Sequence, residues 1–256
     1  MSTSPVTVRP PAHARTPRPR TVASFAYGLV GVLGELLITL GVLLLGFLVW
    51  QLWWTDVEGN AAQAEIVRDM GFAPPAVAED GGPKVAERRT DEPPVLEEPE
   101  HAANFAHLFV PRWEGEPKRP ISQGTDRATV LDVLGIGHYA GTAMPGGVGN
   151  FALAGHRVTF GKPFNRIEEL QVDDALVVRT ADTWYVYKVT STEVVLPRDV
   201  RVIAPVPNEP GAEPTERFIT LTTCHPMFSA RERYIVHGVL DYWAPTSDGT
   251  PAELLG

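Results

Sequence analysis

The sequence predicts a mainly β protein, built as a sandwich or a barrel, behind one transmembrane helix. Two observations support this fold class. Residues 27–50 are almost wholly apolar and hold a single charge, Glu35. From Phe105 onward, short runs rich in Val, Thr, Tyr, Phe and Trp alternate with Gly, Pro, Asn and Asp, a pattern typical of strands joined by turns. A chain of 256 residues has room for one such domain with appendages.

The composition excludes several classes of protein. One cysteine, Cys224, cannot form an internal disulfide and cannot supply the several thiolates of the usual structural zinc sites. A formal net charge of −9 argues against nucleic-acid binding, which needs clustered Lys and Arg. Because the chain has no phosphate-binding Gly-rich motif either, we expect no nucleotide, and we assign no metal or other cofactor. The 24 prolines favour linkers and turns over a helical bundle.

Charge and proline content divide the chain into segments. The predicted organisation is a disordered basic cytoplasmic tail at 1–25, a transmembrane anchor at 26–54, an acidic Pro-rich extracytoplasmic linker at 55–104, a β-domain at 105–245 and a C-terminal tail at 246–256. The first segment holds four arginines, five prolines and no acid, so it cannot bury a core. Within the linker, 55–73 can continue as a short helix, and 74–100 is predicted to be a flexible tether.

The apolar segment is long enough to cross a bilayer. At about 1.5 Å per residue, residues 27–50 span the roughly 30 Å of a hydrocarbon core. Trp50, Trp53 and Trp54 at its far end suit the membrane interface. Arginines precede the segment and acids follow it, so the positive-inside rule places the N-terminus in the cytoplasm and exports the rest. A cleaved signal peptide is the alternative, but its A-x-A pattern at 62–64 comes well after the apolar run.

Seven apolar runs are predicted to be strands of the β-domain. They lie at 107–111, 129–134, 151–154, 175–178, 184–189, 218–223 and 234–240. Their Val, Thr and aromatic content, with turn residues between them, fits a sandwich or a barrel. The stretch FNRIEEL at 164–170 predicts one short helical turn.

Three residues suited to nucleophilic catalysis lie at the ends of predicted strands. Cys224 ends one apolar run, His156 follows another, and Arg233 precedes a third. A thiol nucleophile needs an acid–base partner at neutral pH, and histidine is the natural one. An arginine cannot give up its proton, but it donates two parallel hydrogen bonds to a developing oxyanion. An isolated cysteine is most often a small buried hydrophobe, yet free thiols are a liability in an exported domain.

The motifs around these residues resemble those of one family. TLTTC is followed nine residues later by Arg233 and a YIV-x-G strand, and GHYAGTAMPGGVGNFALAGHR contains His156. Together these elements resemble the sortase signature over residues 105–243. The C-H-P after TLTT and the G-H-Y-x-G-T-A-x-P-G stretch are most similar to class E sortases of actinobacteria. The resemblance implies that the β-domain is a closed eight-stranded catalytic β-barrel with few short helices.

The resemblance also implies a reaction. Sortases are membrane-anchored cysteine transpeptidases that cleave an LPxTG- or LAxTG-type sorting signal between Thr and Gly through a thioacyl intermediate. The acyl chain then passes to an amine of a cell-wall precursor. The implied partners are surface proteins that bear a sorting signal, lipid II or a peptidoglycan stem-peptide amine, and the membrane through the N-terminal helix. The implied location is the cell membrane, in a single pass, with the catalytic domain outside.

The resemblance assigns roles to five residues. It implies Cys224 as the nucleophile, His156 as the group that exchanges protons with the departing and incoming amines, and Arg233 as the stabiliser of the oxyanion. It also implies that Thr223 lines the site and that Tyr139 recognises the substrate, with a preference for LAxTG over LPxTG. The alternative for Tyr139, weighted equally, is an aromatic residue that packs within a strand and has no role in recognition.

Neighbouring residues and other activities remain as alternatives. Arg231 lies two residues before Arg233 and is a second candidate for the arginine. His225 adjoins Cys224, but successive strand residues point to opposite faces, which makes it a poor candidate for the acid. The alternative activities are a pilin-polymerising class C-like sortase, a different exported cysteine transpeptidase and an anchored wall-binding module.

Overall fold

A computed structural model of the chain describes residues 22–255, so most of the predicted tail at 1–25 lies outside the described residues. Helix α1 spans Val22–Asp69. The strands are β1 Asn104–Phe109, β2 Arg119–Gln123, β3 Ile136–His138, β4 Gly149–Ala154, β5 Ala175–Arg179, β6 Thr183–Val195, β7 Arg217–His225 and β8 Glu232–Pro245. After α1, the helices among the described residues are short turns of three to five residues.

Helix α1 forms without interruption because its 48 residues contain no proline. It ends at Asp69, and Gly71 then takes the left-handed φ of 60° that commonly follows a helix. By length and composition, Tyr27–Asp69 is the one candidate membrane span among residues 22–255. The single long apolar helix near the N-terminus is therefore confirmed, and it runs beyond the predicted end of the anchor at residue 54.

The chain divides into two compact units, one up to Trp50 and the other from Gln51 onward. In the first unit, the apolar side chains of α1 are exposed around the helix, including those of Leu33, Leu36, Leu40, Leu43 and Phe47. A helix that is apolar all round and packs into no core has the pattern of a membrane-spanning segment. The second unit contains the β-domain.

The eight strands close into a barrel in the order β1-β2-β3-β4-β7-β8-β6-β5, with β5 pairing back to β1. Most neighbouring strands are antiparallel, but β2 with β3 and β4 with β7 are parallel. Strand β7 therefore lies between β4 on one side and β8 on the other. The predicted closed eight-stranded barrel is confirmed, and the sandwich alternative is excluded.

The barrel interior is filled by side chains that alternate along the strands. The core cluster includes Leu108, Ile121, Ile136, Phe151, Leu153, Leu176, Tyr185, Tyr187, Ile219, Leu221 and Val236. The outer face of β4 is covered as well, because Asn150 Nδ2 donates to the carbonyls of Val202 and Ala204 at 3.2 and 3.0 Å. The β6–β7 connection thus lies over β4, in which all six residues are buried.

Six of the seven predicted strands are confirmed, and one prediction was wrong. Residues 129–134 contribute instead to a π-helix at Arg127–Leu131. The carboxylate of Asp126 accepts from the backbone N–H of Thr129 at 3.0 Å, a local bond that competes with strand pairing. Strands β2 (RPISQ) and β3 (IGH) were missed because they are short and contain proline or glycine. The predicted helical turn is confirmed as a 3-10 helix at Ile167–Glu169.

The acidic linker packs along the barrel, so the prediction of a flexible tether was wrong. Arg89 and Trp243 exchange backbone hydrogen bonds of 2.9 Å in both directions. Trp243 Nε1 donates to the carbonyl of Asp91 at 3.1 Å. The Tyr185 hydroxyl donates to the carbonyl of Pro94 at 2.6 Å. Composition misled the prediction because these bonds use backbone carbonyls, which every sequence supplies.

The C-terminal tail also packs against the barrel. Trp184 Nε1 donates to the carbonyl of Gly249 at 3.0 Å, and the Tyr242 hydroxyl donates to Glu253 at 2.5 Å. The backbone N–H of Thr250 donates to the carbonyl of Lys84 in the linker at 2.7 Å. Linker and tail therefore cover one side of the barrel together.

Candidate active site

A cleft of about 400 Å³ opens where β4, β7 and β8 meet. Its lining includes Thr125, Arg127, Leu131, Tyr139, His156, Thr159, Thr222, Thr223, Cys224, Ala230 and Arg233. All five site residues predicted from the sequence belong to this lining. They come from β7, from β8 and from the segments that follow β3 and β4, so their meeting in one cleft is a result of the barrel topology.

Cys224 and Arg233 face each other across neighbouring strands. Cys224 is the penultimate residue of β7, it is half-buried, and its register partner in β8 is Arg233. Direct partners in an antiparallel pair have β-carbons about 4.5–5.5 Å apart, so the two side chains stand side by side on one face of the sheet. The guanidinium donates to the carbonyls of Ala230 and Glu232 at 3.1 and 2.9 Å. Arg231 precedes the start of β8 and has no such partner in the register.

His156 follows β4 by two residues and hydrogen-bonds to a carboxylate. Its Nε2 lies 2.6 Å from Oδ1 of Asp132. An ionised carboxylate only accepts, so Nε2 carries the proton and Nδ1 is the nitrogen left to exchange one. In the described part of the chain, no residue hydrogen-bonds to that Nδ1. Asp132 was not predicted as a site residue, because residues 129–134 were predicted to be a strand and Asp132 instead follows a helical turn.

Arg157 joins the end of β4 to the end of β7. Its side chain is buried, and Nη1 donates to the carbonyl of Cys224 at 3.4 Å and lies 3.1 Å from Nδ1 of His225. Nη2 forms an ion pair of 2.6 Å with Glu168, and this bond holds the pKa of the Glu168 carboxyl below its usual range. His225 therefore faces Arg157 and Glu168, on the face of β7 opposite to that of Cys224.

Two threonines before Cys224 point to different neighbours. The hydroxyl of Thr223 is buried and donates to the carbonyl of Gly155 at 2.7 Å. Thr222, which shares its strand face with Cys224, lies 3.0 Å from the Tyr139 hydroxyl through its own Oγ1. Thr223 was predicted as a site residue and Thr222 was not, although the period of two along a strand places Thr222 on the same face as Cys224.

The loop that carries Tyr139 is supported by His138. The His138 ring is buried, with Nδ1 2.7 Å from Oε1 of Gln123 and Nε2 3.1 Å from the carbonyl of Ala143. Burial lowers the pKa of His138. Through these contacts, and through the Thr142 hydroxyl that lies 2.9 Å from Nε2, the ring links β2 to the β3–β4 loop and holds Tyr139 beside the cleft.

The arrangement is suited to acyl transfer. A half-buried thiol, an imidazole with one unbonded nitrogen and a guanidinium lie on one rim of the barrel. These groups can serve as a nucleophile, a proton carrier and an oxyanion stabiliser respectively.

A family model described as the sortase domain matches residues 108–241. This chain is a sortase. Among curated relatives, sortase SrtE1 of Streptomyces coelicolor is 38% identical over 98% of this chain and 67% of its own length. Sortase SrtE2 of the same organism is 37% identical over 87% of this chain and 85% of its own length. These relatives confirm the resemblance to class E.

Solved structures agree with the sortase fold. The SrtA sortase from Actinomyces oris has a TM-score of 0.63 and 48% identity, and the match covers 66% of this sortase and 97% of that chain. Sortase E1 from Streptomyces coelicolor, solved with a tripeptide in the active site, has a TM-score of 0.56 and 42% identity. The match covers 60% of this sortase and 97% of that chain. The sortase therefore belongs to a family of cysteine transpeptidases.

We expect Asp132→Asn to lower the turnover of this sortase by about 10-fold or more, because acid–base groups contribute roughly 10²–10⁴-fold and depend on their orientation. The variant keeps the size of the side chain but lets an amide replace the carboxylate beside His156. The measurement is kcat for peptide cleavage, with exposed Asp182→Asn in the β5–β6 turn as the control. Equal turnover in both variants would contradict the assignment of Asp132 as a positioning residue.

Proposed function

We propose that this sortase is anchored in the cell membrane, cleaves an LAxTG- or LPxTG-type sorting signal between Thr and Gly, and transfers the acyl chain to an amine of a cell-wall precursor such as lipid II. The observation that carries this proposal is the placement of Cys224 opposite Arg233, with His156 in the same cleft. The partners are surface proteins with a sorting signal and the amine of lipid II or of a peptidoglycan stem peptide.

The first half of the reaction forms a thioester. The Cys224 thiol gives its proton to His156, and the resulting thiolate attacks the carbonyl carbon of the Thr–Gly bond. Arg233 donates hydrogen bonds to the oxyanion that develops on the carbonyl oxygen. The carbon–nitrogen bond then breaks, and His156 gives its proton to the departing glycine amine.

The second half transfers the acyl group. His156 takes a proton from the incoming amine as the amine nitrogen attacks the thioester carbonyl carbon. The carbon–sulfur bond breaks, a new amide bond forms, and His156 returns its proton to the departing sulfur, which restores the Cys224 thiol. The supports that hold these groups in place are Asp132 beside His156 and Arg157 behind Cys224.

Tyr139 and Thr223 complete the proposed substrate site. The Tyr139 hydroxyl lies 3.0 Å from Oγ1 of Thr222, on the strand face that Cys224 shares, which supports a contact between the phenol and a bound peptide. A peptide-bound relative, sortase E1 of Streptomyces coelicolor, supports peptide binding in this cleft. We propose that Tyr139 favours LAxTG, and that Thr223 acts by fixing Gly155 next to His156.

The proposed topology has the N-terminus in the cytoplasm and the barrel outside. Four arginines precede the apolar helix, and the segment after it is acidic. Anchoring raises the effective concentration of the enzyme near a substrate and an acceptor that are themselves bound to the membrane.

We expect the full chain in detergent to cleave an LAxTG reporter peptide, faster than its LPxTG counterpart, and to transfer it to an added primary amine. Mass spectrometry would detect the cleaved peptide, the amide product and the thioacyl adduct on Cys224. Cys224→Ala abolishes all three, and His156→Ala lowers turnover by about 10²–10⁴-fold. Cleavage that survives undiminished in Cys224→Ala would overturn the proposed function.

Arg233→Ala is expected to lower kcat by about 10²–10³-fold, the range for a lost oxyanion donor. Arg231→Ala serves as the matched control and is expected to retain wild-type turnover, because Arg231 lies outside the register of β8. Steady-state kinetics on both variants make the comparison. A change confined to KM in Arg233→Ala would assign the arginine to substrate binding instead.

The proposed topology predicts that a membrane-impermeant thiol reagent labels Cys224 in intact spheroplasts. Because Cys224 is the only cysteine in the chain, the label reports on one position. Lysed spheroplasts give the reference level of labelling, and Cys224→Ala gives the background. Labelling that requires lysis would contradict export of the barrel.

A further inference from the structure

The end of helix α1 contacts the turn that follows β4. Asp56 forms an ion pair with Lys162, with 2.9 Å between Oδ2 and Nζ. Gln63 Nε2 donates to the carbonyl of Phe160 at 2.9 Å. Both contacts meet residues 160–162, which we call the histidine turn because it comes just after His156.

The contact at Gln63 is buried and polar. The Gln63 side chain is 2% exposed, and its Oε1 accepts from Nη1 of Arg119 at 2.9 Å. The same Arg119 nitrogen donates to Oδ1 of Asn60 at 2.6 Å. Burial lowers the pKa of the Arg119 guanidinium. Both ends of the Gln63 amide thus have partners, as burial of an amide requires.

Gly59 lets the helix backbone touch the histidine turn directly. A β-carbon at this position would lie 2.6 Å from both the nitrogen of Gly161 and the carbonyl carbon of Phe160. Both contacts are with backbone atoms, which cannot move aside as a flexible side chain can. No larger residue therefore fits at position 59 without a shift of the helix or of the turn. The helix and the histidine turn are therefore in backbone contact.

The histidine turn has a conformation that its own sequence disfavours. Phe160, Gly161 and Lys162 have φ values of 54°, 77° and 38°. Residues with a side chain rarely adopt positive φ, and such a backbone persists only where the surrounding structure holds it. The hydrogen bond from Gln63 and the ion pair from Asp56 are contacts that hold it.

Phe160 passes this constraint to the proposed catalytic histidine. The Phe160 and His156 rings pack with 5.2 Å between centroids and 38° between planes. We propose that residues 56–63 of α1 position His156 through Phe160, so that the helix contributes to catalysis as well as to attachment. The inference rests on the proposed acid–base role of His156.

The test variant is Gln63→Glu in the full chain. Glutamate keeps an oxygen that accepts from Arg119 but loses the N–H that bonds to the Phe160 carbonyl. We expect a melting temperature close to that of the wild type and a kcat lowered by about 10-fold, since a misplacement near 1 Å can cost as much as 10²-fold. KM is expected to stay unchanged because Gln63 does not line the cleft.

The matched control is Glu65→Gln, the reverse exchange on an exposed residue of the same helix. It is expected to keep the wild-type kcat and melting temperature. Wild-type kcat in Gln63→Glu, measured beside an active wild-type enzyme, would overturn the inference while leaving the proposed function intact. An inactive wild type would overturn the proposed function instead.

If Gln63→Glu also lowers the melting temperature, substitution of Phe160 distinguishes positioning of His156 from a general loss of stability. Phe160→Leu removes the ring that packs on His156 and is expected to lower kcat. Phe160→Tyr keeps the ring and is expected to keep the wild-type kcat. The double variant Gln63→Glu with Phe160→Leu is expected to have a kcat no lower than that of the less active single variant, because both substitutions act through one contact. Additive losses in kcat, or no effect of Phe160→Leu, would overturn the inference.

Discussion

The arrangement of the cleft depends on one topological constraint, the position of β7 between a parallel β4 and an antiparallel β8. Parallel neighbours end at the same rim, and an antiparallel neighbour begins there. His156 after β4, Cys224 near the end of β7 and Arg233 near the start of β8 are therefore brought to one edge of the barrel. Closure of the sheet fixes this edge, because a strand in a closed barrel has bonded partners on both sides.

Around that edge, buried polar contacts fix the orientation of side chains. Arg157 is the central example, because its guanidinium is buried and bonds to the Cys224 carbonyl as well as to Glu168. Hydrogen bonds to charged groups contribute about 1.5–3 kcal/mol each, and removal of one partner leaves the other charge buried without compensation. Such contacts favour one geometry strongly over its alternatives. His138 has the same effect on the loop of Tyr139.

Segments outside the barrel wall are part of the same folded unit. The linker bonds to the barrel through Arg89 and Trp243, and residues 56–63 of α1 bond to the barrel through Gln63. The linker and residues 51–69 of α1 therefore belong to the same compact unit as the β-domain. The contacts of α1 reach the turn at residues 160–162, where the Phe160 ring packs on His156, and they support the proposed positioning of that histidine by the helix.

The sequence by itself determined the apolar helix, the β class, six strands and the family motifs with Cys224, His156 and Arg233, because these depend on local composition and on short fixed spacings. Only the tertiary structure decided the partners of those residues. Asp132 lies 24 positions from His156, and Thr222 lies 83 positions from Tyr139. No local pattern specifies a hydrogen bond between residues so far apart in the chain. The packing of the linker was missed for the same reason, since backbone carbonyls that accept from distant side chains leave no mark in the composition.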